Sequence, residues 1–111
     1  MSYQRYWNES IETMPREELE AYQTEQLKEH LKYAYEHSPY YKQSFDESGV
    51  KPEDFKVLSD LSKFPFINKQ IERDAQISKP LLGTLTAVPE EDVVFVSASS
   101  GSTGVPTLSP F

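Results

Sequence analysis

A stretch of small polar residues between two apolar runs is the part of the chain best suited to chemistry. It holds Gly101 and Gly104 among hydroxyl residues, directly after the apolar run Val93-Val94-Phe95-Val96. Because glycine tolerates positive φ, successive backbone N–H groups there can point at one anion, and Ser and Thr hydroxyls add donors without bulk. We therefore predict a phosphate-binding loop. Its donors come from six consecutive residues: Ser99, Ser100, Gly101, Ser102, Thr103 and Gly104.

A flexible linker is the alternative interpretation of this stretch, since linkers are also rich in Ser and Gly. A linker would not be expected to follow a buried strand, nor to close with Pro106 and a second short run, Thr107-Leu108, that can return as a strand. Two other glycine motifs do not fit. Gly101 and Gly104 are too close for the Gly-x4-Gly-Lys loop of P-loop nucleotidases, and no Gly-x-Gly-x-x-Gly occurs in the chain.

The loop needs a scaffold, and the N-terminal half of the chain predicts a helical hairpin. A long helix starts in the turn that Pro15 opens and runs to His37 without an internal Gly or Pro. Ser38 then caps a second helix that begins at Pro39 and ends at Gly49. The apolar residues of the long helix recur at helical spacing and share one stripe: Leu19, Tyr22, Leu27, Leu31, Ala34 and Tyr35.

The rest of the chain predicts one more helix and a short sheet. Asn68 caps a third helix that ends at about Gln76 and buries Ile71. The run 93–96 is continuously apolar, which favours a strand buried on both faces. We assign Trp7 to the core. The predicted fold is mainly α with a small β element (α+β), divided into a helical subdomain, residues 1–90, and a strand–phosphate loop–strand unit, residues 91–111.

Composition excludes several classes of function. The net charge is -7 over 111 residues, so the chain should not bind nucleic acid or anionic membranes non-specifically. It has no cysteine, hence no disulfide or thiolate metal site, and no apolar run long enough for a membrane span, which together favour the cytoplasm. His30 and His37 would lie about 10 Å apart on a helix, too far to share one metal ion. We predict no metal ligand and no catalytic residue in this chain.

The loop Ser99–Pro106 resembles the phosphate loop of the adenylate-forming superfamily, which includes the acyl-CoA synthetases. The upstream sequence is similar, segment by segment and in the same order, to the opening of the phenylacetate–CoA ligases. Those segments are Tyr6-Trp7-Asn8, the stretch from Ile11 to Leu19, Ser38-Pro39-Tyr40-Tyr41, Phe64-Pro65-Phe66 and Val88-Pro89-Glu90-Glu91. These ligases commonly carry Lys where this chain has Val105, and relatives that adenylate other aryl acids or a deazaflavin share the opening.

The resemblance implies an AMP-forming ligase that uses ATP, Mg²⁺ and CoA with a small aryl carboxylic acid, and that is often a homodimer. It also implies that the chain is an N-terminal fragment, inactive alone, that begins the large α/β domain of such an enzyme. The residues that hold Mg²⁺ would then lie beyond Phe111. Two other hypotheses stay open: a stand-alone helical interaction module, and a small phosphate-binding protein.

Overall fold

The computed structural model describes residues 2–79, 82–101 and 104–111. Its α-helices are α1 (Glu9–Glu12), α2 (Arg16–His37), α3 (Pro39–Ser48) and α4 (Lys69–Ser78). Short 3-10 helices span Pro52–Asp54, Leu58–Lys63 and Glu90–Asp92, and the strands are β1 (Val96–Ala98) and β2 (Leu108–Pro110). The predicted α+β class is confirmed.

The predicted helical hairpin of α2 and α3 is present, with a correction at the start of α2. Pro15 is the N-cap of α2 rather than a residue of its first turn. Between the helices, the hydroxyl of Ser38 accepts a hydrogen bond from the backbone N–H of Tyr41, and Gly49 ends α3 in the left-handed conformation, with φ 70°. These contacts are local in sequence, so the helix limits follow from residue types alone.

The core lies where the hairpin meets the two short helices after it. Leu31, Phe45, Phe55 and Phe64 are buried there together. The rings of Phe45 and Phe64 meet edge to face with their centroids 5.1 Å apart, an arrangement that adds to burial alone. This aromatic cluster fixes α2 and α3 against residues 52–64.

Two predictions about burial are wrong. Trp7 is 94% exposed, because no described element lies over the N-terminal segment that carries it. In α4 the buried residue is Ala75, whereas Ile71 is only half buried. The cap itself is confirmed, since the Asn68 side chain accepts a hydrogen bond from the N–H of Ile71 at 2.9 Å.

The strand prediction is also corrected. β1 begins at Val96 rather than Val93, and Val94 and Phe95 are 87% and 58% exposed instead of buried on both faces. The physical reason is the size of the sheet: β1 pairs only with β2, antiparallel, among the described residues. A continuously apolar strand is buried when sheet and helices surround it, and that surrounding structure is absent from the described part of this chain. The predicted return strand after Pro106 is present as β2.

Candidate phosphate-binding loop

The predicted loop connects β1 and β2 at the end of their hairpin, and hydrogen bonds join its two ends where it leaves the strands. Ala98 pairs with Leu108 in the last register position of the sheet. One step beyond, the N–H of Ser99 donates to the carbonyl of Thr107 at 2.9 Å, and the N–H of Thr107 donates to the Ser99 hydroxyl at 2.8 Å. The strands therefore hold both ends of the loop at a fixed separation.

Both loop glycines adopt backbone conformations that other residues avoid. Gly101 has φ 67° and Gly104 has φ 123°. A Cβ on Gly101 would lie 3.0 Å from both the Gly104 carbonyl oxygen and the Pro106 Cγ, whereas a Cβ on Gly104 would meet nothing within 4 Å. At Gly101 both conformation and space favour glycine, and at Gly104 the conformation alone does.

The six predicted donors have different surroundings. Ser99 accepts the N–H of Thr107, so its hydroxyl joins the two ends of the loop. The Gly104 N–H donates to the carbonyl of Gly101 at 3.0 Å and forms a turn. The N–H groups of Ser100 and Gly101 make no hydrogen bond to another described residue. These two amides can therefore donate to an anion. Ser102 and Thr103 lie outside the described residues.

Sequence reasoning missed the residue that connects this loop to the helices. Gln76 of α4 donates from Nε2 to the carbonyl of Pro106 at 3.1 Å and accepts at Oε1 from the N–H of Leu108 at 2.8 Å. Gln76 and its partners are about thirty residues apart in the sequence. The sequence does not predict this contact, because neither periodicity nor a capping pattern relates a helix residue to a distant strand. The prediction marked Gln76 only as the approximate end of a helix.

A cleft of about 400 Å³ lies beside the β1–β2 hairpin, between α4, residues 82–88 and β2. Its wall is largely apolar, and its polar members are Glu72, Gln76, Thr86 and Ser109. Burial raises the pKa of the nearby Tyr41 hydroxyl, and electrostatic interactions with the Tyr40 hydroxyl and the Glu72 carboxyl group raise it further. The Tyr41 phenol is therefore neutral at physiological pH and does not add charge to this side of the loop.

The described residues contain neither a candidate metal site nor a candidate membrane-spanning helix. Over residues 2–79, 82–101 and 104–111, no three His, Cys, Asp or Glu side chains converge as a metal site would require. No helix in the same ranges has the length and hydropathy to cross a membrane.

Comparison with known proteins identifies the kind of enzyme to which the sequence is related. The phenylacetate-coenzyme A ligase of Escherichia coli (strain K12) is 51% identical over 98 residues, which are 88% of this chain and 21% of that enzyme. The phenylacetate-coenzyme A ligase of Aromatoleum evansii is 47% identical over 100 residues, or 90% of this chain and 22% of that enzyme. The chain resembles the N-terminal part of a phenylacetate-CoA ligase.

Solved structures agree with this ligase resemblance. A 2-hydroxyisobutyryl-CoA ligase crystallised with 2-HIB-AMP and CoA superposes with a TM-score of 0.89 at 33% identity, over 97% of this chain and 23% of that one. The same ligase in its postadenylation state, with 2-HIB-AMP, gives a TM-score of 0.86 at 32% identity, over 95% of this chain and 22% of that one. No family model matches the sequence. The chain spans about a fifth of the length of the curated ligases that it matches.

Proposed function

We propose that this chain is the part of an AMP-forming aryl acid–CoA ligase that binds the phosphates of ATP. The observation that carries the proposal is the 51% identity to a phenylacetate-CoA ligase over 98 residues. The loop conformation supports it, because Gly101 and Gly104 have positive φ and the N–H groups of Ser100 and Gly101 make no hydrogen bond to another described residue. Amides of this kind can donate to an anion. The proposed cradle comprises six residues: Ser99, Ser100, Gly101, Ser102, Thr103 and Gly104.

In the reaction that the resemblance implies, an aryl carboxylate attacks the α-phosphorus of ATP, forming an acyl-adenylate and releasing pyrophosphate. The CoA thiol then displaces AMP and gives the thioester. Negative charge grows on the departing pyrophosphate in the first step. Donors that already point at the β- and γ-phosphates stabilise this charge without reorganising, and that is the role we assign to the loop.

Mg²⁺ belongs to the same proposal, yet the described residues offer no converging set of three metal ligands. We therefore assign no Mg²⁺ ligand to this chain and derive no step through the ion. The acid and CoA sites are likewise proposed for a complete ligase of which this chain would be a part. The division at residues 90 and 91, the homodimer and the cytoplasmic location stay predictions.

A chimera tests the proposal most directly. This chain would replace the matching segment of the Escherichia coli phenylacetate-CoA ligase, and ATP–pyrophosphate exchange would be measured with phenylacetate. Gly104→Val should lower exchange by about 10²- to 10³-fold, the loss typical of misplaced transition-state donors, because a β-branched residue disfavours the φ of 123° seen there. The KM for phenylacetate should change little.

The matched control is Gly49→Val. Gly49 also has positive φ, at 70°, and open space around its Cβ position, but it caps α3 far along the chain from the loop. It should lower stability by about 1–2 kcal/mol or more, the cost of a side chain in the left-handed region, and leave exchange near that of the unsubstituted chimera. Equal exchange in the two variants would contradict the phosphate-loop assignment.

The isolated chain gives a second test. It should form no phenylacetyl-CoA with ATP, Mg²⁺ and CoA, and calorimetry should detect no micromolar affinity for ATP. Micromolar binding of ATP by the isolated chain would favour a small phosphate-binding protein instead.

A further inference from the structure

The side chain of Gln76 pairs with the backbone that leaves the loop. Its amide donates to the Pro106 carbonyl at 3.1 Å and accepts the Leu108 N–H at 2.8 Å. A primary amide carries one acceptor and two donors at the same end, so it can satisfy both backbone groups as a peptide of a neighbouring strand would. Alanine offers neither group, and a glutamate carboxylate offers only the acceptor.

The residue between these two contacts is held on its other side by the loop itself. Thr107 exchanges hydrogen bonds with Ser99 through its N–H and its carbonyl. Thr107 is itself buried, with only 7% of its surface exposed. The exit of the loop is therefore fixed from two directions, by Ser99 across the hairpin and by Gln76 from the helix.

The helix that carries Gln76 is itself fixed to the hairpin of α2 and α3. The carbonyl of Ala75 accepts the N–H of Thr84 at 3.2 Å, and the carbonyl of Thr84 accepts the N–H of Tyr40 at 2.9 Å. Gly83 packs so closely that a Cβ on it would lie 2.5 Å from the Cα of Gln76. Backbone hydrogen bonds thus run from α3 through residues 83–84 to α4, and Gln76 extends them to the loop.

We infer that Gln76 is a positioning residue, which sets the placement of the glycine-rich loop relative to the helical layer. This inference rests on the proposed function, because placement matters only if the loop binds phosphate. Donors misplaced by a fraction of an ångström stabilise a growing charge poorly. Replacement of Gln76 should therefore impair phosphate binding while the helices stay folded.

Amide hydrogen exchange on the 111-residue chain tests the contact. In Gln76→Ala the protection factor of the Leu108 amide should fall about tenfold or more, because its acceptor is gone. The matched control is Gln70→Ala on the same helix, which removes only a local hydrogen bond to Asp74 and should leave Leu108 protected. Equal Leu108 protection in wild type and Gln76→Ala would overturn the inference.

Gln76→Glu supplies a rescue that a packing role would not give. The carboxylate is repelled by the Pro106 carbonyl, and this repulsion should move it away from Leu108 and lower Leu108 protection near neutral pH. The protonated acid can instead donate to that carbonyl and accept from the Leu108 N–H. Leu108 protection should return below about pH 4, under the ordinary carboxyl pKa. Glu72 is the titratable residue that shares the cleft wall with Gln76, so wild type is followed over the same range, and absence of any return would count against the paired geometry.

Titration with inorganic pyrophosphate at millimolar concentration, followed by amide chemical shifts, connects the contact to function. The Ser100 and Gly101 amides of wild type should shift, and Gln76→Ala should weaken this response about tenfold while Gln70→Ala does not. Loss of Leu108 protection with an unchanged pyrophosphate response would overturn the positioning role. If wild-type amides do not respond at all, the phosphate-loop proposal fails, and exchange alone then decides whether Gln76 holds the loop.

Discussion

Replacing Gly83 with alanine should destabilise the chain more than the same substitution at a glycine that has open space around it. Gly83 has φ 77°, and a Cβ built on it would lie 2.5 Å from both the Ala75 carbonyl oxygen and the Gln76 Cα. These are backbone atoms of α4, so they cannot rotate away as the end of a flexible side chain would. Either α4 or residues 82–84 must move, and the hydrogen bond from the Thr84 N–H to the Ala75 carbonyl would be strained.

Two costs add in this variant. A non-glycine residue in the left-handed region costs about 1–2 kcal/mol, and forcing an extra methyl group against packed atoms costs about 1–3 kcal/mol. The sum is about 2–5 kcal/mol, a large share of the roughly 5–15 kcal/mol that stabilises a typical domain. Gly49→Ala isolates the first cost, because Gly49 has φ 70° and nothing within 4 Å of its Cβ position.

Equilibrium unfolding in urea, followed by circular dichroism, measures both variants. With a denaturant slope of about 1–3 kcal/mol/M for a small protein, the midpoint of Gly83→Ala should lie about 1 M below that of Gly49→Ala. If the two midpoints coincide, the close approach of residue 83 to α4 contributes nothing, and the fixed connection between the hairpin and Gln76 is refuted.

Three further predictions concern other parts of the chain. Ser38→Ala should lower the free energy of unfolding in urea by about 1–3 kcal/mol, because the buried Ser38 hydroxyl donates to the Leu85 carbonyl at 3.0 Å and caps α3. A decrease below about 0.5 kcal/mol would contradict this expectation. The Lys63 side chain and two backbone N–H groups lower the pKa of Asp60 from 3.8 to about 2, so its stabilisation is present above about pH 4 and is lost as the pH falls through about 2. As the pH falls from about 4 to about 2, the free energy of unfolding should therefore decrease less in Asp60→Asn than in wild type. An equal decrease in the two proteins would contradict the lowered pKa of Asp60. In sedimentation equilibrium the chain should be a dimer or larger, because the exposed side chains of Val94 and Phe95 beside β1 give a second copy an apolar surface to cover. Their N–H groups already donate to the Phe111 carbonyl within the chain, so the sedimentation result alone decides, and a monomer would contradict the expectation.

The sequence alone determined the features that depend on neighbouring residues. Ser38 and Asn68 cap helices through hydrogen bonds to N–H groups three residues away, and Gly49 ends α3 through its own φ. The loop glycines belong to the same class, since Gly101 and Gly104 have the positive φ angles that their type favours. Motif order also sufficed for the ligase resemblance, because it needs residue types and spacing only.

Tertiary structure decided what those local elements contact. Whether the 93–96 run is buried depends on how many strands and helices surround it, and here Val94 and Phe95 are exposed beside a two-stranded sheet. Ser99 was expected to donate to phosphate, yet its hydroxyl also accepts the N–H of Thr107 across the hairpin. Gln76 reaches Leu108 over 32 residues of sequence. Such pairings arise from the relative placement of α4 and the hairpin, which side-chain packing sets and no local pattern of residues encodes.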